Sequence, residues 1–266
     1  MADAAPVPKP PRSERQRADR VLVERGLFDS RARAQAAIEA GLVTADGKVV
    51  AKPSETIAVD AVIEAREAYE WVSRAGLKLE AALDAAGLDV TGLEALDVGA
   101  STGGFSQVLL ARGAARVHAV DVGRDQLAEK LRIHPRLVSL EGTDIRRLAI
   151  GEVPPAEIVT IDVSFIALEQ VLPAALAHAA PDAWLVALVK PQFEVGREHV
   201  SKGGIVRDRA VRLAAVDRVV ARLGELGWLA THRLVSPILG GDGNEEHLVV
   251  AARTAAPLID VTLSEG

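Results

Sequence analysis

The chain has 266 residues, 49% apolar and 26% charged, an ordinary soluble composition with enough material for one large core or two smaller ones. It contains no cysteine, which excludes disulfides, thiolate nucleophiles and cysteine-based zinc sites; no apolar run of membrane-spanning length and no secretory leader are read, so a reducing cytoplasm is the expected location and no membrane partner is expected. The net charge of −6 argues mildly against nucleic acid, yet residues 1–35 hold eight Lys and Arg against five Asp and Glu, so that end is net +3.

In chain order, residues 1–16 are Pro-rich and charged and are expected to be a disordered tail. Residues 17–64 read as a small α+β module. Arg17–Arg25 is a short helix stopped by Gly26, and Ser30 caps a second helix over Arg31–Ala40 that Gly41 ends. Asp46-Gly47 marks a hairpin between Leu42–Ala45 and Lys48–Val50, and Thr56–Glu64 is a further strand. Residues 65–75 form a connector in which Trp71 is expected to pack between domains. From 76 to 254, strand and helix signals alternate, the pattern of a parallel sheet with helices on both faces. The predicted strands are 95–98, 116–120, 137–140, 158–161 and 184–189, with helices near 104–112, 124–131 and 165–179. An amphipathic helix over Asp208–Leu226 and strands near 230–236 and 246–252 follow, and residues 255–266 are a second tail.

The densest local signal is LDVGASTGGFS, Leu96–Ser106, a strand running into small residues and then a helix. Such a turn lets a ligand approach the backbone and offers helix-start N–H groups to it. Asp97, Gly99, Ala100, Ser101, Thr102, Gly103, Gly104 and Phe105 are the candidate cofactor loop. Asp121 ends the next strand, where a carboxylate suits a ribose diol. Asp144, after the third strand, is either an adenine-side acid or a helix N-cap. A dinucleotide site is the rival reading, but the G-x-G-x-x-G spacing is absent. Phe105 and Phe165 either line the pocket or pack inward, the commoner fate of apolar residues after a strand.

Asp162 and Lys190 end successive strands, where the site of such a sheet lies. Lys190 follows the apolar run Leu185–Val189. A desolvated lysine there can serve as a base, which arginine cannot, and the chain has only seven Lys beside 24 Arg. A lysine snorkelling from a strand tip is the bland alternative. Lys78, in SRAGLKLEAAL, and Glu246, in GDGNEEHLVV, complete the candidate set, with Glu245 as the neighbouring alternative. No His and carboxylate cluster stands at metal-ligand spacing, and no metal is expected. SKGGIVRD, Ser201–Asp208, is either a mobile substrate loop or a plain connection.

RADRVLVERGLFDSRARAQAAIEAGLVTADGKVVAKPS resembles an S-four-type RNA-binding domain, which implies phosphate contacts from Arg17, Arg20, Arg31, Arg33 and Lys48. Charge alone reads equally as a solvated helical face. D-V-G-A-x-x-G-G-F resembles methyltransferase motif I, which implies S-adenosyl-L-methionine as cofactor. Lys78, Asp162, Lys190 and Glu246 match the Lys-Asp-Lys-Glu tetrad of FtsJ-like ribose 2′-O-methyltransferases. WVSRAGLKL, LDVGASTGGF, TIDVSFIAL, LVKPQFEVG, KGGIVRD and GNEEHL together resemble the TlyA family of ribosomal RNA cytidine 2′-O-methyltransferases, once labelled haemolysins, over about residues 17–253. The resemblance implies a Rossmann-like methyltransferase domain, with a doubly wound, mostly parallel sheet, behind the small α+β domain, and ribosomal RNA or ribosomal subunits as partner. His247 stands where the family pattern has an aromatic residue. A non-catalytic RNA-binding relative, a membrane-active haemolysin and a nicotinamide-dependent dehydrogenase are the competing classes. Retention of all four tetrad residue types argues against the first of these.

Overall fold

The computed structural model describes residues 14–253. These fall into two compact units that divide between Glu70 and Trp71. Of the expected tails, 1–16 and 255–266, all but residues 14–16 lie outside the described residues.

In the first unit, β1 (Arg15–Arg17) leads into α1 (Ala18–Glu24), then α2 (Arg31–Glu39), β2 (Val43–Ala45), β3 (Lys48–Val49), β4 (Thr56–Ala58) and β5 (Ile63–Ala65). The expected disorder up to residue 16 is corrected at its end: β1 pairs antiparallel with β4, Gln16 opposite Ile57. The continuous strand expected over Thr56–Glu64 is two strands in different sheets, because β4 pairs with β1 and β5 with β2. Ser30 caps α2, its side chain accepting from Arg33 N at 3.4 Å. Asp46 and Gly47 both take positive φ, 50° and 73°, as the two-residue turn between β2 and β3 demands. Leu22, Phe28, Ile38, Val43 and Ile57 fill a core of their own under the helix pair.

The second unit opens with α3 (Ala75–Ala86), unforeseen in the sequence. Then come β6 (Glu94–Val98), α4 (Gly104–Ala111), β7 (Arg116–Asp121), α5 (Glu129–Arg132), β8 (Leu137–Glu141), β9 (Ala156–Ile161), α6 (Leu168–Ala177), β10 (Ala179–Val189), α7 (Pro191–Glu194), α8 (Arg209–Glu225), β11 (Trp228–Val235) and β12 (His247–Arg253). The helix expected over 124–131 shrinks to the single turn of α5. Its first residues instead form a loop clasped by Glu141, which accepts from Gln126 N and Leu127 N at 2.7 and 3.0 Å.

The sheet order is β11-β12-β10-β9-β6-β7-β8, with β12 antiparallel to both its neighbours and β10 to β8 mutually parallel. It is the doubly wound, Rossmann-like arrangement. The chain steps outward from β6 to β8 and returns to β9 on the other side of β6, so a crevice opens between the carboxyl ends of β6 and β9. Strand alternation sorts the core. Leu96, Val98, Val159 and Ile161 face α6 and α8, while Ala95, Val117 and Ile158 face α3 and α4. Trp71 packs with this second core, its ring against Gly76. Asp208 caps α8, accepting from Ala210 N at 2.8 Å.

Candidate active site

The crevice is a cavity of about 520 Å³ whose wall includes Gly99 and Ser101 after β6, Asp121 at the end of β7, Asp144 after β8 and Asp162 after β9. The turn after β6 is built by backbone bonds: Gly99 N and Ala100 N both donate to Val120 O, at 2.8 and 3.2 Å. Asp121 holds the turn from the neighbouring strand, accepting from Ser101 N at 2.8 Å and Gly123 N at 2.7 Å. Ser101, with φ 48°, and Phe165, with φ 65°, are non-glycine residues in the left-handed region, and both line the cavity. Such conformations cost of order 1–3 kcal/mol each and gather at functional sites.

Of the expected cofactor loop, Gly99 and Ser101 line the cavity. The space beside three of its glycines is filled by protein. A Cβ on Gly99 would meet Asp162 O at 2.4 Å, one on Gly103 the Leu131 side chain at 2.3 Å, and one on Gly104 the Ser73 hydroxyl at 2.3 Å. These glycines let strands and helices close around the turn; of the three, only Gly99 lies on the cavity wall. Phe105 is buried in the core, and Ala100, Thr102, Gly103 and Gly104 are not on the wall. Asp97 is buried beneath the turn, accepting from Ser106 Oγ at 2.6 Å and Thr160 Oγ1 at 2.8 Å, so it braces β6 to α4 and β9. Burial pushes its carboxyl up to about 6, against the opposing pull of those two hydroxyls. Asp144 stands just after β8. It caps a 3-10 turn at Ile145–Arg147 and lines the cavity, with Arg146 clasping both its oxygens.

Two lysine–carboxylate pairs stand at the strand ends. Lys190 Nζ lies 2.6 Å from Asp162 Oδ1 and donates to Ser164 Oγ at 2.8 Å. The Asp162 contact is ionic, for Oδ1 accepts no hydrogen bond of ordinary geometry. Lys78 Nζ, on α3, meets Glu246 Oε2 at 2.5 Å, with side chains 9% and 3% exposed. Val189 is opposite His247 in the β10–β12 ladder, so one further step sets Lys190 opposite Glu246 and brings the pairs to one edge of the sheet. Glu245 points elsewhere, to Arg212 at 3.1 Å. Ser164 was not foreseen as a partner of Lys190, although it lies in the same VTIDVSF run.

Around this edge, Phe165 is not in the core: it is 91% exposed, its ring 5.1 Å from that of Phe193. Glu194, after Lys190, accepts from Leu168 N at 2.9 Å and so ties α7 to the start of α6. Burial pushes its carboxyl up to about 7, and Glu169 adds to that rise. SKGGIVRD is tethered rather than free. Buried Asn244 donates to Gly204 O at 2.8 Å and accepts from Val206 N at 2.9 Å.

In the first unit, Arg17, Arg20, Arg31 and Lys48 are exposed or half-buried. Arg33 is largely covered, bonded to Glu67 at 2.9 Å and stacked 5.3 Å from the Tyr69 ring.

The FtsJ-like methyltransferase family model matches residues 71–253, and the S4 domain model matches residues 16–63. The second unit is thus a Rossmann-like methyltransferase. The 16S/23S rRNA (cytidine-2′-O)-methyltransferase TlyA of Mycobacterium tuberculosis is 47% identical over 244 residues, covering 89% of this chain and 90% of that protein. Hemolysin A of Brachyspira hyodysenteriae is 39% identical over 235 residues, covering 87% and 98%. Among solved structures, one described as "Putative hemolysin from Streptococcus thermophilus" matches with a TM-score of 0.73 at 39% identity, covering 94% of this chain and 92% of that one. The chain belongs to the TlyA family of FtsJ-like methyltransferases. No helix among the described residues is long and apolar enough to cross a membrane.

Proposed function

We propose that this chain transfers a methyl group from S-adenosylmethionine to the ribose 2′-hydroxyl of a cytidine in ribosomal RNA. The observation that carries this reading is the contact of Lys190 with Asp162 at 2.6 Å, at the carboxyl end of the sheet beside the glycine turn. The relative named as a 16S/23S rRNA (cytidine-2′-O)-methyltransferase supports the choice of substrate.

The crevice fits the cofactor. Its volume lies in the range of small-molecule sites. Asp121, oriented by Ser101 N and Gly123 N, offers a carboxylate for a ribose diol. Val122 and Ile145 give apolar walls for a flat base, with Asp144 at its edge. Bound there, S-adenosylmethionine supplies an electrophilic methyl group.

The protein's residues then have distinct tasks. For transfer Lys190 first releases the ammonium proton of the resting ion pair to solvent; its neutral amine then orients the 2′-hydroxyl and takes up that group's proton as the oxygen attacks, with Asp162 compensating the charge of the ammonium that re-forms. Ser164 fixes the Lys190 amine from a second direction. Lys78 stabilises negative charge on the ribose oxygen, and Glu246 holds Lys78 in place. Phe165, held outward beside Asp162, offers a stacking face to a base drawn out of the RNA. Arg17, Arg20, Arg31 and Lys48 of the first unit contact RNA phosphates. Mapping of 2′-O-methyl groups on ribosomal RNA from cells with and without the gene tests the reading. At least one cytidine loses its mark without the gene; an unchanged map overturns the proposal.

A further inference from the structure

Asp19, on α1, is a fully buried carboxylate in the first unit. It accepts from Arg17 Nε and Nη2, each at 3.0 Å, from Arg31 Nη2 at 2.7 Å and from Gln35 Nε2 at 2.8 Å. Arg17 first, then Arg31 and Gln35, hold the carboxyl well below the ordinary range despite its burial.

The arrangement joins separate pieces of chain. Arg17 stands at the junction of β1 and α1, Arg31 at the first position of α2, and one carboxylate fixes both. Their side chains nevertheless remain 43% and 55% exposed. Arg17 is held by two of its nitrogens, so its plane is set while Nη1 is not engaged by Asp19. Arg31 meets Asp19 through Nη2 alone, so its Nε and Nη1 hydrogens are not engaged by Asp19. Planar guanidinium groups held in register match the oxygens of a phosphodiester, which a flexible ammonium does not. The neighbouring cations are placed differently. Arg20 pairs with Glu24 one helical turn away, an ordinary surface pair, and Arg33 is bonded to Glu67.

We propose that Asp19 is the positioning residue of a phosphate-binding site formed by Arg17 and Arg31, and that its ligand is a backbone phosphodiester of structured RNA. The proposal rests on the reading of the first unit as the RNA-binding module. Asp19 does not touch RNA; its negative charge preorganises two cations.

This has a signature that simple attraction cannot imitate. Removing a negative charge beside the site strengthens RNA binding if only net charge matters. It weakens binding if the carboxylate sets the geometry. The test uses the full chain and deproteinised bacterial 16S and 23S RNA in filter binding across a salt series, with thermal melting and cofactor affinity measured alongside. Asp19→Asn is expected to weaken RNA binding about fivefold with a shallower salt slope, since ordered phosphate contacts are lost. Arg31→Lys, which keeps the charge but not the fork, is expected to weaken it comparably, with cofactor affinity unchanged. Asp19→Asn binding as tightly as wild type or more tightly, or Arg31→Lys binding like wild type, overturns the proposal. Should Asp19→Asn melt the first unit, Arg31→Lys at its exposed position decides alone. A wild-type chain with no salt-dependent affinity for either RNA overturns the RNA reading itself. Wild-type binding with an unaffected Asp19→Asn overturns only the role of Asp19.

Discussion

Removing one partner of the Lys78–Glu246 pair tests how the site is held. The side chains are 9% and 3% exposed and meet at 2.5 Å. Glu246→Leu leaves the Lys78 ammonium buried without its carboxylate, at a cost of about 3–5 kcal/mol. The methyltransferase family model spans residues 71–253, and in a domain of that size each kcal/mol moves the melting temperature by about 2–4 °C. The expected fall is therefore roughly 6–20 °C. Lys78→Met alone strands the carboxylate and acts in the same direction. The double variant Lys78→Met/Glu246→Leu places two apolar side chains beside Leu79 and Leu248 of the same core, and its stability returns close to that of wild type. It transfers no methyl group. Near-ultraviolet circular dichroism melts and a methyl-transfer assay check both halves. Single variants melting within about 2 °C of wild type, or an active double variant, refute the reasoning.

Other outcomes follow from the same geometry. Gly99→Ala, at φ 84° with a Cβ driven onto Asp162 O, is expected to cost about 2–4 kcal/mol and to weaken S-adenosylmethionine binding in equilibrium dialysis; wild-type stability and affinity would contradict it. Phe165→Ala, at an exposed position, should leave the melting temperature unchanged but lower kcat/KM for RNA by about 5–150-fold, the equivalent of about 1–3 kcal/mol of stacking; unaltered RNA kinetics would exclude the stacking role. Asp97 and Glu194, pushed up to about 6 and about 7 on folding, keep protons that the unfolded chain has already released. Their contribution is fully present below the unfolded carboxyl range and is lost as pH rises from that range through their folded values of about 6 and about 7, whereas Asp19, shifted downward, contributes above its unfolded value and loses this only in strong acid. Glu194→Gln should flatten the fall in urea midpoint between about pH 5 and 7, and an unchanged pH slope would count against it.

The chemistry was legible in the sequence because it is local to strand ends. Asp121, Asp162 and Lys190 each close an apolar run, and an alternating α/β pattern puts such positions on one edge. What escaped was set by partners distant in sequence. α3 starts without a side-chain cap and has Gly76 in its first turn, so no local signal marks a helix there; Trp71 fills the space beside that glycine. The packing task of the turn's glycines was hidden too: Leu131, Ser73 and the Asp162 carbonyl occupy the room beside them. Arg33 looked like any basic helix residue until Glu67, 34 positions on, covered it. Phe165 could be read as pocket lining or as core, the commoner fate of apolar residues after strands; it lines the cavity with a left-handed backbone, and no local pattern announces that.

Transfer of a labelled methyl group from S-adenosylmethionine to ribosomal RNA, comparing the purified wild-type chain with Lys190→Ala, tests the role of Lys190 most directly. The label should enter RNA with wild-type protein and reside on a ribose 2′-oxygen, resisting alkaline cleavage of the adjacent bond. Lys190→Ala should transfer none while binding the cofactor within about threefold of wild type, because Lys190 acts on the hydroxyl rather than on the turn that holds the cofactor. A fully active Lys190→Ala chain, or label found on a base, would contradict it.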